Sequence, residues 1–179
     1  IFEAEWNKFC QSKVVDYGKQ WTKEKLDETG VALVKAFVAW WPTSGFTVLC
    51  CSKGRPIIER KLRIRLPGNI QYTAIIDLMA RDSKGRVLVL DIKTPAQLSM
   101  EGFARLSDQL LGYQIVADAF KNDLGIEQVD GMGFIELHKV TVKEPPKKAG
   151  SKPKLQPNVA PVEIADRRPD SDVQDWILE

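Results

Sequence analysis

Hydrophobic residues near the start of the chain recur with the spacing of an α-helix. The set is densest over residues 31–40, where its members are Val31, Leu33, Val34, Ala36, Phe37, Val38 and Trp40. Pro42 and Gly45 end the pattern, because proline lacks the amide donor a helix needs and glycine favours the turn that follows. The sequence therefore predicts a helical segment over residues 1–41.

Four segments after residue 45 have the pattern of β-strands. Residues 46–52 read FTVLCCS, and residues 57–67 alternate apolar and charged side chains with a period of two. Ile58, Leu62, Ile64 and Leu66 share one predicted face of this second strand, and Glu59, Lys61, Arg63 and Arg65 share the other. Residues 71–81 and 86–93 are two further strands joined by a hairpin turn at 82–85. The run RVLVLDIK is typical of a central strand covered on both faces.

A long helix is predicted next, over residues 101–120. Its apolar stripe recurs at steps of three and four, through Phe103, Leu106, Leu110, Tyr113, Ala117 and Phe120. A further strand is predicted over residues 131–142, so the helix forms a crossover between two parallel strands. The order of elements predicts an α/β fold, a small mixed central sheet flanked by helices, in a single domain over residues 1–142 with its sheet core at 46–142.

Composition changes at residue 143. Six of the 10 prolines lie beyond it, interspersed with lysines. Such a segment cannot bury enough apolar surface to fold alone, so we predict a basic, extended, proline-rich tail over 143–179. Residues 170–179, which include Trp176, are predicted to form a short terminal helix.

Charge and cysteine usage exclude several classes of protein. The 179 residues carry 26 basic and 24 acidic side chains, so a strongly basic nucleic-acid coat protein is excluded. The 3 cysteines have no CxxC spacing, so neither a disulfide framework nor a zinc site is predicted. No apolar run is long enough to span a membrane, and the first residues lack a signal-peptide pattern. We expect a cytoplasmic protein with no membrane partner.

The candidate chemistry lies in residues 75–94, IIDLMARDSKGRVLVLDIKT. Asp91 and Lys93 are two apart on one strand, so they share a face, and Asp77 lies on the strand before. Two neighbouring carboxylates on apolar strands repel each other and resist desolvation, and a divalent cation relieves both costs. Oxygen ligands alone favour Mg²⁺ or Mn²⁺. Lys93 adds a positive charge suited to a phosphoryl oxygen.

Other interpretations of the same residues stay open at this point. An aspartate in a strand is most often a local hydrogen-bonding residue, and DxK alone is a common tripeptide. A protein-interaction domain would instead pair the carboxylates with Arg81 or Arg86. Glu59 is explained equally well as a solvated partner of Lys61.

Gln109 and Tyr113 are four apart on the predicted helix, in DQLLGYQ, directly after the DIK strand. An aspartate, a hairpin, DxK and then QxxxY resembles the RecB-like, lambda-exonuclease-like branch of the PD-(D/E)xK nuclease superfamily. The resemblance covers roughly residues 33–137. It implies a restriction-endonuclease-like core and a metal-dependent DNA exonuclease of a bacterial or phage recombination or repair system.

The resemblance also implies roles for individual residues. Asp77, Asp91 and the backbone carbonyl of Ile92 resemble the metal ligands, and Lys93 resembles the catalytic lysine. Gln109 and Tyr113 resemble residues that orient the site or hold a DNA phosphate, and Glu59 resembles a further acidic position.

The sequence departs from the family pattern at several positions. Ile76 stands where the signature has proline, Ala74 stands where glycine is frequent, and the one histidine is His138, downstream of the motif. Glu24 and Glu28 are the candidates for the upstream-helix ligand of many relatives. With 3 cysteines, none of them in the tail, we expect no iron–sulfur cluster.

The predicted basic strand face would bind a phosphate backbone through Lys61, Arg63 and Arg65. A solvated strand face explains the same charges. The leading hypothesis is a Mg²⁺- or Mn²⁺-dependent deoxyribonuclease acting on DNA. The alternatives are a restriction-type endonuclease and a non-catalytic DNA-binding module with the same fold.

Overall fold

A computed structural model describes residues 2–12, 21–143 and 156–178. Contacts between Cα atoms divide the chain into two compact units. The first comprises residues 1–43, 94–98 and 137–160, and the second comprises residues 44–93, 99–136 and 161–179. The single domain predicted over residues 1–142 stays a prediction, and each unit is described by itself.

The first unit is largely helical. Helix α1 spans Phe2–Ser12 and helix α2 spans Lys23–Trp40, followed by a 3₁₀ turn at Trp41–Thr43 that contains Pro42. The side chain of Thr22 caps α2 by accepting a hydrogen bond from the Lys25 amide at 3.3 Å. Within the described residues, two helices lie in the segment predicted to be helical, and α2 ends at Trp40, two residues before Pro42.

The second unit is built on a mixed β-sheet. Its strands are β1 (Thr47–Val48), β2 (Ile58–Leu66), β3 (Ile70–Arg81), β4 (Val87–Lys93), β5 (Gly131–His138), of which residues 131–136 lie in this unit, and β7 (Ile164–Asp166). Strands β1, β2 and β4 pair antiparallel with β3, β5 runs parallel to β4, and β7 runs antiparallel to β5. The last residues of β5 pair with β6 (Asn158–Val159) inside the first unit.

Helices connect β4 to β5 in three pieces. They are α3 (Phe103–Leu106), α4 (Asp108–Ala119) and α5 (Lys121–Leu124). Helix α4 packs on β2, β3 and β4. The parallel crossover and the mixed α/β class are confirmed, and the central strand β4 is buried from Val87 through Asp91. None of the helices in the described ranges is long and apolar enough to cross a membrane.

Two predicted strands are shorter than their sequence patterns. Only Thr47–Val48 of residues 46–52 forms a strand, with an isolated bridge from Cys50 to Pro56. Strand β5 ends at His138 rather than at Val142. Among the described residues, no disulfide involves Cys10, Cys50 or Cys51.

The alternation of β2 is interrupted at Glu59. This residue has φ +49°, a left-handed conformation rare outside glycine, and a residue in this conformation rotates the chain as a bulge does. The inward face therefore changes: Ile57 is 1% exposed, whereas Ile58, predicted to be buried, is 50% exposed. Lys61, Arg63 and Arg65 are exposed as predicted.

Strand β3 changes its inward face at the same level. Ala74 and Ile76 belong to one hydrophobic cluster with Met79, although strict alternation would place Met79 on the opposite side. Alternation would likewise place Ile75 and Met79 on one face, yet Ile75 is 47% exposed and Met79 is fully buried. The change of face falls at Asp77.

The continuous helix predicted over residues 101–120 is wrong in its first turns. Ser107 adopts an extended conformation, ψ 115°, and its side chain caps α4 by accepting from the Leu110 amide at 3.2 Å. The apolar stripe therefore holds only from Leu110 onward, and Leu106 is 76% exposed. The serine hydroxyl supplies the helix start that a count of apolar spacing overlooks.

The C-terminal region differs from the extended tail predicted over 143–179. Among the described residues 156–178, β7 completes one edge of the sheet and α6 (Asp170–Leu178) is the predicted terminal helix. Ala165 lies in the main hydrophobic cluster. Gly131 and Gly133 of β5 allow β7 to lie close by. A Cβ atom on Gly131 would clash with the backbone of Ala165 in β7, and one on Gly133 would clash with the backbone of Glu163, which precedes β7. Residues 144–155 lie outside the described residues.

Candidate active site

Asp77 and Asp91 occupy adjacent positions on neighbouring strands. The last pair of the β3–β4 ladder joins Leu78 to Leu90, and the next pair in that register would be Asp77 with Asp91. Backbone pairing between the two strands stops there. The Ile92 amide instead donates a hydrogen bond to Asp77 Oδ2 at 2.9 Å. The two carboxylates therefore lie where the backbone pairing of the two strands ends.

Asp91 is the most buried charged residue among those described, with 1% of its surface exposed. Its Oδ1 accepts from Gln109 Nε2 at 2.8 Å and from the Tyr113 hydroxyl at 3.4 Å. Its Oδ2 lies 2.8 Å from Lys93 Nζ as an ion pair. That contact lacks hydrogen-bond alignment, so Oδ2 is a buried oxygen without an aligned donor.

Gln109 links the cluster from the helix side. Its Oε1 accepts from Lys93 Nζ at 3.1 Å, and its Nε2 donates to Asp91 and, at 2.8 Å, to the Tyr113 oxygen. Each end of the amide thus faces a group of the matching type, which fixes its orientation. Strand β4 supplies Asp91 and Lys93, whereas consecutive turns of α4 supply Gln109 and Tyr113. The tertiary structure brings together these four predicted residues.

Burial controls the electrostatics of this cluster. Desolvation raises the pKa of Asp91, and repulsion from Asp77 adds to the rise, while Lys93 and Tyr113 oppose it. Burial also raises the pKa of Tyr113 to about 12, with the two aspartates contributing. The tyrosine therefore stays protonated at neutral pH and acts as a hydrogen-bond donor.

The donor set suits a hard divalent cation. The Oδ2 atom of Asp91 lacks an aligned donor, and Asp77 lies beside it in register. In an extended strand the N–H and C=O of one residue point to the same neighbour, so the Ile92 carbonyl is directed to the Asp77 side. Two carboxylates and one carbonyl are ligands that Mg²⁺ and Mn²⁺ accept. Within the described ranges, no group of three His, Cys, Asp or Glu side chains is close enough to bind a metal.

Glu59 lies opposite Asp77 in the β2–β3 register, between the pairs Ile58–Leu78 and Arg60–Ile76. Its side chain is exposed, and among the described contacts it makes no hydrogen bond or ion pair with the cluster. The positive φ of Glu59 and the change of face at Asp77 are one local distortion of the paired strands. The distortion places Asp77 at a bend, a common location for functional side chains.

The basic residues predicted to bind DNA line one exposed face of β2. Arg63 Nε donates to Thr73 Oγ1 on β3 at 3.2 Å. The alternative pairing of the aspartates with Arg81 or Arg86 is wrong. Arg81 donates to the Gly85 carbonyl, and Arg86 pairs with Asp82 at 2.8 Å.

Glu136 is a neighbour of the cluster that the sequence analysis overlooked. It pairs in register with Lys93 on the parallel strand β5, and its carboxylate accepts from the Ser99 amide and hydroxyl. The only sequence signal is one acidic side chain in the apolar run GMGFIELH. Its contact with Ser99 anchors the loop between β4 and α3.

No protein-family model matches this chain, and no curated protein matches it with significant similarity.

Proposed function

We propose that this protein is a metal-dependent DNA nuclease that hydrolyses phosphodiester bonds as an exonuclease. One observation carries the proposal: the buried carboxylate of Asp91 contacts Lys93, Gln109 and Tyr113 and lies in register beside Asp77. Burial and repulsion from Asp77 raise the pKa of Asp91 although Lys93 opposes the rise, so a bound cation would stabilise the ionised carboxylate.

Asp77, Asp91 and the Ile92 carbonyl would hold the Mg²⁺ or Mn²⁺ ion. When bound, the ion supplies a water of lowered pKa and neutralises charge on the scissile phosphate. Asp91 is already desolvated, so its carboxylate needs little reorganisation to bind a cation. Asp77 is held by the Ile92 amide, which leaves its second oxygen available.

Lys93 provides the positive charge on the substrate side. Its side chain is 43% exposed while its ammonium still contacts Asp91, so the group lies at the boundary between the buried carboxylate and solvent. There it can donate to a phosphoryl oxygen as negative charge develops. Gln109 holds the ammonium in that place through its Oε1.

Tyr113 and Gln109 complete the arrangement by donating to Asp91. A tyrosine whose pKa is about 12 is a poor general base at neutral pH. Its role is to keep the Asp91 carboxylate and the Gln109 amide oriented. The exposed face of β2, with Lys61, Arg63 and Arg65, supplies cations for the DNA backbone. The choice of exonuclease comes from the resemblance of DxK plus QxxxY.

The decisive experiment compares two DNA substrates of equal sequence, one linear and end-labelled and one covalently closed. Purified protein is incubated with Mg²⁺, Mn²⁺ or EDTA, and Asp91→Asn serves as the control variant. We expect mononucleotide release from the linear substrate alone, with metal and only in the wild type. Cleavage of closed DNA would indicate an endonuclease. Binding without metal-dependent cleavage would indicate a non-catalytic module and overturn the proposal.

A further inference from the structure

The Tyr72 side chain of β3 lies directly against the backbone of helix α4 at Gly112. A Cβ atom at this position would overlap the Tyr72 hydroxyl, and it would lie 3.1 Å from Tyr72 Cζ and 3.5 Å from Trp176 Cζ2. Glycine is a poor helix former, so its presence inside α4 points to this contact rather than to local helix stability. Gly112 is the position at which the helix backbone rests on Tyr72 of β3.

Gly112 lies on the same face of α4 as Gln109. It follows Gln109 by three residues and immediately precedes Tyr113, and positions three or four apart share a face. The distance between this helix face and the sheet determines whether Gln109 Nε2 can donate to Asp91 Oδ1, which lies 2.8 Å away. A shift of about 1 Å would break such a contact, because hydrogen bonds weaken steeply beyond about 3.2 Å.

C-terminal residues support the contact between Tyr72 and Gly112. The Trp176 ring meets the Tyr72 ring edge to face, with centroids 5.1 Å apart. Gln114, fully buried, accepts from the Arg168 amide at 3.0 Å and donates to the Arg168 carbonyl at 3.0 Å. The side chain thus pairs with a backbone segment as a neighbouring strand would, and it ties α4 to the residues that lead into α6.

We infer that Tyr72, backed by Trp176, is a positioning residue that sets the depth of α4 at Gly112 and thereby holds Gln109 and Tyr113 against Asp91. This inference rests on the proposed function for its kinetic consequence. Tyr72 touches none of the reacting groups and acts through the helix backbone. The C-terminal segment thereby becomes part of the catalytic scaffold.

The test is a double-variant cycle with Gly112→Ala and Tyr72→Phe. Gly112→Ala favours the helix but lifts its face from Tyr72, so we expect kcat to fall roughly 10- to 100-fold with KM little changed. Tyr72→Phe keeps the ring that packs on the helix and removes the hydroxyl, so we expect a smaller fall in kcat, about two- to threefold. The double variant removes the overlap with the hydroxyl and leaves the contact of 3.1 Å with the ring carbon Cζ, which a shift of a few tenths of an ångström relieves, so we expect kcat within about threefold of Tyr72→Phe.

Two controls separate positioning from loss of stability. Rates are measured well below each variant's melting temperature, and Ala119→Ser adds one atom at an exposed site on the same helix and should change nothing. The second readout is the NMR resonance of the Gln109 side-chain amide, assigned with Gln109→Ala. Gly112→Ala should move it toward the position of solvent-exposed glutamines, and the double variant should return it.

Each outcome decides the inference. Wild-type kcat and an unshifted Gln109 amide in Gly112→Ala would overturn it, and so would failure of Tyr72→Phe to rescue. If wild-type protein cleaves no DNA, the proposed nuclease function fails. The amide resonance then decides the positioning role independently.

Discussion

The Nε2 atom of Gln109 lies 2.8 Å from the buried Oδ1 atom of Asp91, which joins helix α4 to the central strand β4. The same amide accepts from Lys93 and donates to Tyr113. One side chain therefore fixes the relative positions of the three other members of the cluster. Its removal should affect chemistry more than folding, because Gln109 itself is exposed.

Gln109→Ala and Tyr113→Phe are expected to lower cleavage about 10- to 100-fold while shifting the melting temperature by only a few degrees. Tyr113→Phe keeps the buried ring and removes only the hydroxyl. The measurement is single-turnover cleavage alongside thermal melting. A Tyr113→Phe variant that cuts at the wild-type rate would assign Tyr113 to packing alone.

Lys93→Ala should reduce cleavage about 10²–10³-fold while metal binding remains, since the ammonium acts on charge that develops in the transition state. Without metal the variant should also lose about 1–3 kcal/mol of stability, because Asp91 loses its ion-pair partner while Lys93 is partly solvated. Cleavage, calorimetric Mn²⁺ binding and melting are measured together. Lys84→Ala, at an exposed lysine in the turn between β3 and β4, is the control. Normal cutting by a variant that melts early would contradict a catalytic role.

Apo stability should depend on pH through Asp91. Its pKa is raised in the folded state, so that state binds the proton more tightly than the unfolded chain. The resulting stabilisation is present below the unfolded pKa and is lost as pH rises through the folded pKa. The pKa values of Asp82 and Asp27 are lowered in the folded state, so their contribution to stability increases as pH rises, opposite to that of Asp91.

The contribution of Asp91 is isolated by subtracting the melting profile of Asp91→Asn from that of wild type, between about pH 3 and pH 8. In EDTA the difference should fall as pH rises, and saturating Mg²⁺ should reverse the fall, because the ion binds only the folded carboxylates. A difference that is flat in pH and unchanged by metal would contradict both the raised pKa and the metal site.

Replacing Lys61, Arg63 and Arg65 with glutamine should weaken DNA binding equally for all sequences. Each lost phosphate contact is expected to reduce the slope of log K against log salt by about 0.9 for duplex DNA. The measurement is fluorescence anisotropy from low to moderate salt, with Arg81→Gln as the matched control at another exposed arginine. An unchanged slope would indicate that these three basic side chains are solvated and make no contacts with DNA phosphates.

Truncation after residue 155 should destabilise the protein by about 3 kcal/mol or more, a fall of roughly 6–12 °C in melting temperature. It removes β7, which pairs with β5, and Ala165 of the hydrophobic cluster. Truncation after Pro169 removes only α6 and should lower activity through Trp176 more than it lowers stability. Native melting of the longer deletion would show that β7 is dispensable.

Several elements and site residues have local signals that can be recognised in the amino-acid sequence. Parity along one strand placed Asp91 and Lys93 on a common face, helical spacing placed Gln109 and Tyr113 on another, and both pairs meet in the structure. Central burial of β4 followed from its unbroken apolar run. These features depend on residues only a few positions apart, so a pattern in the chain is enough to predict them.

The positions at which these hydrophobic patterns are interrupted depend on contacts between segments that are distant in the chain. The left-handed Glu59 and the change of face at Asp77 arise because two strands bend together, and neither strand shows this in its own alternation. The fold of the C-terminal residues likewise depends on partners distant in sequence: Gln114 holds Arg168, and Trp176 meets Tyr72. A proline-rich composition indicates that a segment can bury little apolar surface by itself. Whether the segment packs depends on the apolar surface available on the rest of the chain.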